Sequence, residues 1–425
     1  MRGIIENIRG SEYVRNVSVL ASGTIIVQVI STLISPVLSR LYTPDDYGTL
    51  ALFTSCISVL TVIGSFRYEL AILIPKKYFE AELIFKLSLV ITFLVSIVVL
   101  LVTTAFNQNI TAILGNENLS LWLYFIAPVF LAAGITQSFT YWFNRNKNYK
   151  IISGVRIYQS SINSGLSLIL GLLKFNAFGL ILSLIISQIT SSLYLLKKSL
   201  FRFNLNSFNF FKLKSVGKQY REFPLLSLPS ALLDTVSINA IIFLLSYFFS
   251  ESVTGAYSFA LRILSIPAIV IGSAMGQVFF QKISEAYGNN EKITGLILKL
   301  WKVLFLIGIL PTVVLFFFGK ELFTFVFGAN WAEAGNISKY LCILTFFMFI
   351  SSPTSSAMIV LRKQKILLFV NIAAFIYRPL ALFWGYSINS YLKGILLYII
   401  LEIIQILCVN FLLLKSAREA DLKKE

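Results

Sequence analysis

The sequence predicts an all-α integral membrane protein of about twelve transmembrane helices, arranged as two six-helix lobes with both termini cytoplasmic. Three observations predict it: the composition, the side on which the cations fall, and an internal repeat. Of 425 residues, 57% are hydrophobic and only 13% charged, with a mean hydropathy of +0.81. Soluble domains carry about 25% charged residues, so much of this chain's surface must face lipid. A net charge of +17 gathered on one face of a soluble protein would indicate nucleic acid. Here most Lys and Arg fall in short gaps between apolar runs, and no nucleic-acid partner is expected.

A spanning helix needs about 20 mostly apolar residues. Such runs fall near 17–38, 48–74, 83–106, 121–143, 154–173 and 177–196. A second set falls near 224–248, 256–280, 293–318, 336–361, 366–386 and 392–414. The opening segment MRGIIENIRGSEYVRNV has no short apolar core followed by a small-residue cleavage site, so the first run is expected to stay as a helix. One alternate set of gaps holds twenty-four Lys and Arg, among them Arg145, Lys147 and Lys150; the other holds only Arg40, Lys174 and Lys320. A miscounted helix would scramble that asymmetry, and the positive-inside rule then places both termini in the cytoplasm. A multi-pass membrane protein is expected.

The repeat sets the domain plan: a lobe at 1–196, a basic and aromatic cytoplasmic linker at 197–222, a lobe at 223–414 and a cytoplasmic tail at 415–425. SRLYTPDDYGTLALF (Ser39–Phe53) is answered by SYFFSESVTGAYSFA (Ser246–Ala260), with Ser39 and Gly48 landing on Ser246 and Gly255 at one offset of 207. LGN (Leu114–Asn116) is answered by FGAN (Phe327–Asn330), and Arg145-Asn-Lys147 by Arg362-Lys-Gln-Lys365. An even number of spans per half gives both halves the same topology, related by an axis along the membrane normal. In the linker, Phe201, Phe203, Phe208, Phe210 and Phe211 interleave with Lys and Arg, which suits the headgroup layer. A linker lying on the surface is the expectation, set against a site for an anionic headgroup or a cytosolic enzyme.

The chain has no histidine, and Cys56, Cys342 and Cys408 sit inside apolar runs as packing residues, so no metal site is expected. There is no GxxxxGK[ST] and no GxGxxG, and no gap is long enough for a catalytic domain. An enzyme is therefore not expected, nor a cofactor. Work must be done by polar residues within the spans, where a charge at the bilayer centre costs at least ~2.5–3.5 kcal/mol. Asp234, Arg378 and Glu402 fall near the middle of spans 7, 11 and 12. Arg67 and Glu69 lie toward the cytoplasmic end of span 2, Arg156 and Lys299 near those of spans 5 and 9, and Arg262 in the outer part of span 8. Two readings compete for these charges, ion pairs between helices and the lining of a polar cavity; the excess of cations suits an anionic cargo.

Span 5 is the most informative. In GVRIYQSSINSGLSL, Arg156, Gln159, Ser160, Asn163, Ser164 and Ser167 recur at i, i+3, i+4, i+7, i+8 and i+11, one face of a helix. That face is expected to be a wet, sugar-compatible surface, against the alternative of a seam of small polar residues. In span 10, Ser351-Ser-Pro353-Thr-Ser-Ser356 places a proline near the centre, which frees a carbonyl and permits a kink or a gate. Gly272-Ser-Ala-Met-Gly276 in span 8 reads as close helix packing.

Seven stretches carry a likeness across both halves: RLYTPDDYGTLALF (Arg40–Phe53), RYELAILIP (Arg67–Pro75), WFNRNKNYKIISGVRIYQS (Trp142–Ser160), FPLLSLPSALLD (Phe223–Asp234), GAYSFALRILSIP (Gly255–Pro267), GQVFFQKISEA (Gly276–Ala286) and FGANWAEAG (Phe327–Gly335). With these the chain resembles the polysaccharide-biosynthesis flippases, the O-antigen (Wzx-type) branch of the MATE-like multidrug/oligosaccharidyl-lipid/polysaccharide exporter superfamily. The resemblance implies a MATE-like, two-lobed transporter of the bacterial inner (plasma) membrane, working by alternating access. Its cargo would be an undecaprenyl-pyrophosphate-linked repeat unit moved from the cytoplasmic to the periplasmic leaflet in lipopolysaccharide biosynthesis, with coupling to H+ or Na+ in some members. The partners implied are the lipid-linked oligosaccharide, membrane lipid, and a polysaccharide polymerase with its chain-length regulator. Within that picture Arg156, Gln159, Asn163, Arg262 and Arg378 are candidate cargo contacts, and Asp234, Glu402, Arg67, Glu69 and Pro353 candidates for coupling or gating. They are placed by depth and chemistry.

Three rivals stay open. A MATE-type drug or cation antiporter shares the lobes, but the arginine excess would repel cationic drugs. An exporter of teichoic-acid or capsule precursors differs only in cargo. A membrane polysaccharide polymerase should carry a sizeable outer loop, whereas the longest outer gaps here are 107–120 and 319–335.

Overall fold

The computed structural model describes residues 12–115, 119–200, 210–289, 291–355, 357–361 and 363–422. Asn116, Phe201, Phe203, Phe208, Ser356 and Arg362, named above, lie outside them. Among the described residues there are helices and no strand. The first helices are α1 (Glu12–Leu41), α2 (Pro44–Ile63), α3 (Tyr68–Ala71), α4 (Tyr78–Ala105), α5 (Asn107–Leu114), α6 (Ser120–Arg145), α7 (Tyr149–Leu172), α8 (Asn176–Leu200) and α9 (Phe210–Gln219). The rest are α10 (Leu228–Phe248), α11 (Glu251–Leu264), α12 (Ser273–Gly288), α13 (Thr294–Phe327), α14 (Ala332–Ser351), α15 (Ala357–Val360), α16 (Gln364–Ser387) and α17 (Tyr391–Leu422). Among the described residues nine helices are long and apolar enough to cross a membrane. The packing agrees with lipid as the solvent: on α13, Leu306, Leu310, Phe317 and Phe325 all point outward, exposed, and apolar surface on that scale has no place in water.

Each predicted span falls on helix, but among the described residues three are interrupted: 48–74, 256–280 and 336–361, the last by the 3-10 turn Ser352–Thr354 that follows Ser351. The run 48–74 is one apolar stretch by composition, yet its helix ends at Ile63. Phe66 and Arg67 then take left-handed φ angles of 51° and 64°, a conformation disfavoured for L-residues that cannot continue a right-handed helix. The break turns Glu69 inward, where side chains meet its charge, and counting apolar residues does not reveal it. The run 256–280 is likewise divided. Pro267 has no amide to donate, α11 stops at Leu264, and a π turn at Ala268–Gly272 leads into α12.

The chain packs as two compact units. The first comprises the residues up to Tyr42 together with Thr49–Asn239; the second comprises Thr43–Gly48 together with the chain from Ala240. In the first unit α9 is docked through buried Leu213 and Val216. Tyr68 donates to the Gly217 carbonyl at 2.8 Å, and Gln219 and Tyr220 donate to Glu80 Oε1 at 2.8 and 2.9 Å. The described part of the linker is thus tied to α3 and α4, with Phe211 left outward.

In the second unit, Thr43–Gly48 is a packed segment. Thr43 N donates to Asp46 Oδ2 at 2.8 Å and Asp46 N to Thr43 Oγ1 at 3.3 Å, a reciprocal cap ahead of Pro44 at the first helical position. Tyr47 meets Phe259 and Trp331 edge-on at centroid distances of 5.2 and 5.1 Å. The backbone approach there is tight: a Cβ on Gly255 would lie 1.8 Å from the Pro44 carbonyl oxygen, and one on Gly48 2.2 Å from that of Glu251. These are the two glycines the sequence repeat superimposes. Elsewhere in this unit Gly276 lies against Pro353, whose Cα would be 3.5 Å from an added Cβ. The end of α17 caps α13: Asp421 accepts from Ile293 N at 2.8 Å and Thr294 N at 3.0 Å. The segment expected as a tail is therefore helical to Leu422.

Candidate functional site

In the first unit, α7 forms one wall of a cavity of about 490 Å³. Arg156, Gln159, Ser160 and Asn163 line it, facing Thr24 and Val27 of α1, Thr54 and Ile57 of α2, Val129 of α6, and Leu184, Ser187 and Gln188 of α8. Four of the six stripe residues meet in this space. The other two turn away: Ser164 and Ser167 are buried in packing, and the Ser167 carbonyl accepts from the Tyr42 hydroxyl at 2.7 Å.

The hydrogen-bond inventory decides what the cavity can do. Thr54 Oγ1 donates to the Leu50 carbonyl at 2.9 Å and Ser187 Oγ to that of Leu184 at 2.9 Å, so these hydroxyls retain acceptor capacity only. Gln159 donates its amide to Gln188 Oε1. Asn163 Oδ1 is buried and accepts nothing, which in a native structure calls for a missing partner. Arg156 is exposed to the cavity and makes no ion pair among the described residues, leaving five N–H donors for an incoming group. Among the described residues no carboxylate lines the cavity. The arrangement presents the Arg156 donors to an anionic group and hydroxyl oxygens that accept from the hydroxyls of a polar guest.

The helix break makes a second polar cluster in this unit. Glu69, 1% exposed, accepts from the Ser65 hydroxyl and from Gln137 Nε2 at 3.0 Å, with Arg67 Nη1 3.7 Å away. Arg67 Nε is buried without a partner, so the cluster is not fully satisfied. Asp234 on α10 is half-buried and makes no ion pair among the described residues.

In the second unit Arg378 and Glu402 meet. Arg378 Nε donates to Glu402 Oε1 at 2.5 Å and Nη2 to Oε2 at 3.2 Å, and Tyr377 bridges Glu402 Oε1 and Gln405 Oε1 at 2.8 and 2.7 Å. Arg262 is exposed in the last turn of α11 and makes no ion pair among the described residues. Pro353 is buried in a 3-10 turn, Ser352–Thr354, flanked by hydrogen bonds from Trp301 Nε1 to Thr354 Oγ1 at 3.0 Å and from Asn410 to Ser351 Oγ at 2.7 Å. The sequence reading did not mark Gln188, Gln137, Tyr377 or Gln405. Each is a polar residue inside an apolar run, and pairing them needs the helix neighbours.

A family model described as polysaccharide biosynthesis protein matches residues 37–336. The teichuronic acid biosynthesis protein TuaB of Bacillus subtilis (strain 168) is 23% identical over 299 residues, covering 70% of this chain and 61% of that protein's own length. Among solved structures, the lipid II flippase MurJ in its inward closed conformation is similar with a TM-score of 0.76 at 13% identity, over 95% of this chain and 90% of that one. An inward-facing multidrug resistance MATE family transporter of the MOP superfamily is similar with a TM-score of 0.70 at 16% identity, over 96% and 99%. The fold is that of this all-α membrane class.

Proposed function

The chain belongs to the polysaccharide biosynthesis protein family, and from that premise we propose that it is a flippase for lipid-linked oligosaccharide. Its cargo is an undecaprenyl-pyrophosphate-linked repeat unit, carried from the cytoplasmic to the outer leaflet by alternating access. The observation that supports this is the cavity on α7. A sugar pyrophosphate leaves water only where replacement hydrogen bonds or water are offered, and Arg156, Gln159, Ser160 and Asn163 offer them. At about 490 Å³ the space is within the ~300–1,000 Å³ typical of small-ligand sites, and takes the pyrophosphate and the sugar next to it while the polyprenyl tail stays in lipid. The unpaired cation favours this cargo over a cationic drug.

In this reading Arg156 contacts the pyrophosphate, whereas Arg378 is held by Glu402 and positions α16 against α17. Glu69 and Arg67, at a helix break with an unsatisfied nitrogen, are the coupling candidates. The teichuronic acid relative supports surface glycopolymer precursors as the cargo class, O-antigen units being one member.

The test is genetic and biochemical. Deleting the gene should leave lipid-linked units facing the cytoplasm and abolish the surface polysaccharide. Wild type should restore it; Arg156→Ala combined with Gln159→Leu and Asn163→Leu, inserted at normal abundance, should not. Normal polysaccharide from that triple variant would make the face a packing seam. Normal polysaccharide in the deletion strain, with no second flippase present, would overturn the function.

A further inference from the structure

The second unit carries a groove of about 400 Å³ between α12 and α13 that the proposed transport path does not use. Met275, Phe279 and Lys282 line it from α12 at i, i+4 and i+7; Leu296, Lys299, Leu300 and Val303 line it from α13 at i, i+3, i+4 and i+7. Among the described residues each helix therefore brings an apolar lining with a single lysine, and the register puts the lysines at one depth. Lys282 lies six residues before the end of α12 and Lys299 five after the start of α13. At 1.5 Å per residue these are ~9 Å and ~8 Å below the connecting turn. Phe279 and Val303 lie deeper, at ~14 Å on both helices. Neither lysine makes an ion pair among the described residues, and both are exposed. Two unneutralised cations at one level above an apolar trough complement an amphiphile with an anionic head.

We propose that this groove holds an anionic glycerophospholipid, its phosphate between Lys282 and Lys299 and an acyl chain along Phe279 and Val303. Basic pockets between transmembrane helices recognise lipid headgroups in this way. A zwitterionic lipid brings its own ammonium and gains less from two lysines. Among the described residues the lining offers no hydroxyl or amide to a sugar, so a resident bilayer lipid fits it better than the cargo's head. The inference is independent of the α7 cavity.

Purified full-length protein would be titrated with phosphatidylglycerol, with phosphatidylcholine of the same acyl chains, and with inorganic phosphate, reading bound lipid by native mass spectrometry and melting temperature. Wild type should bind and be stabilised by phosphatidylglycerol selectively. Lys282→Gln and Lys299→Gln should each weaken that affinity about five-fold, equivalent to the ~1 kcal/mol per basic residue near an anionic surface. The double variant should lose selectivity while melting normally in phosphatidylcholine. Lys302→Gln, an exposed lysine of α13 outside the groove, should change nothing. Equal loss in the Lys302 variant would reduce the effect to general surface charge. Equal stabilisation by inorganic phosphate would make it a free-anion site, and retained selectivity in the double variant would remove the lysines. Any of the three overturns the proposal, and none bears on transport.

Discussion

Replacing Glu402 by Gln isolates the energetics of the buried ion pair. Arg378 and Glu402 are 9% and 6% exposed and joined by two hydrogen bonds. Glutamine keeps the volume and one acceptor, so Tyr377 retains a partner in Gln405 at 2.7 Å, but the guanidinium loses its counter-charge. Breaking one side of a buried pair costs about 3–5 kcal/mol. At about 2–4 °C per kcal/mol for a unit of this size, the melting temperature should fall by roughly 6–20 °C. The assay is thermal unfolding of the purified full chain at fixed lipid composition, followed by tryptophan fluorescence. Arg378→Met with Glu402→Leu removes both charges together, and because apolar replacement of a buried pair is often neutral, it should melt within about 2 kcal/mol of wild type. A single Glu402→Gln variant melting within ~2 °C of wild type would refute the reasoning, since the guanidinium would then be neutralised without Glu402. If the double variant is abundant and stable yet fails to restore polysaccharide, the pair acts in transport beyond holding α16 to α17.

Two further outcomes are expected. Gly255→Ala should lower membrane abundance and stability by 1–3 kcal/mol or more, because the new methyl would sit 1.8 Å from the Pro44 carbonyl oxygen. Gly165→Ala, with nothing within 4 Å, should be neutral or stabilising by up to ~1 kcal/mol; expression and melting of the pair in parallel check both. In a background lacking Cys56, Cys342 and Cys408, single cysteines at Asp45, Ala112, Asn330 and Asn389 should react with an impermeant reagent from outside, and those at Lys147, Lys212 and Lys363 should not. All seven positions are exposed, so one consistent exception would break the topology read from the charge asymmetry.

What the sequence revealed followed from periodicity. The helical repeat of Arg156, Gln159, Ser160 and Asn163 is readable because 3.6 residues per turn is a local property, and those four do share a cavity wall. The fold class was readable because lipid imposes one composition on every span. The break after Ile63 was not, since Gly64–Pro75 remains apolar on average and the left-handed φ angles of Phe66 and Arg67 serve a long-range contact with Gln137. The meeting of Arg378 with Glu402 was invisible for the same reason: depth along a helix says nothing about which neighbour it faces. Asp234, placed at the same depth, has no part in that pair.

The segment Thr43–Gly48 has a practical corollary for anyone dissecting the molecule. Severing the polypeptide in the linker would yield a C-terminal fragment deprived of Pro44, Tyr47 and Gly48, so Trp331 and Phe259 would lose an aromatic neighbour and Gly255 would face a vacancy. The N-terminal fragment would meanwhile carry those six residues with nothing to seat them. Co-expressed fragments should therefore behave as obligate complements that are recovered together or degraded apart, and a chimera exchanging one half between homologues must carry matched residues at positions 43–48 to assemble.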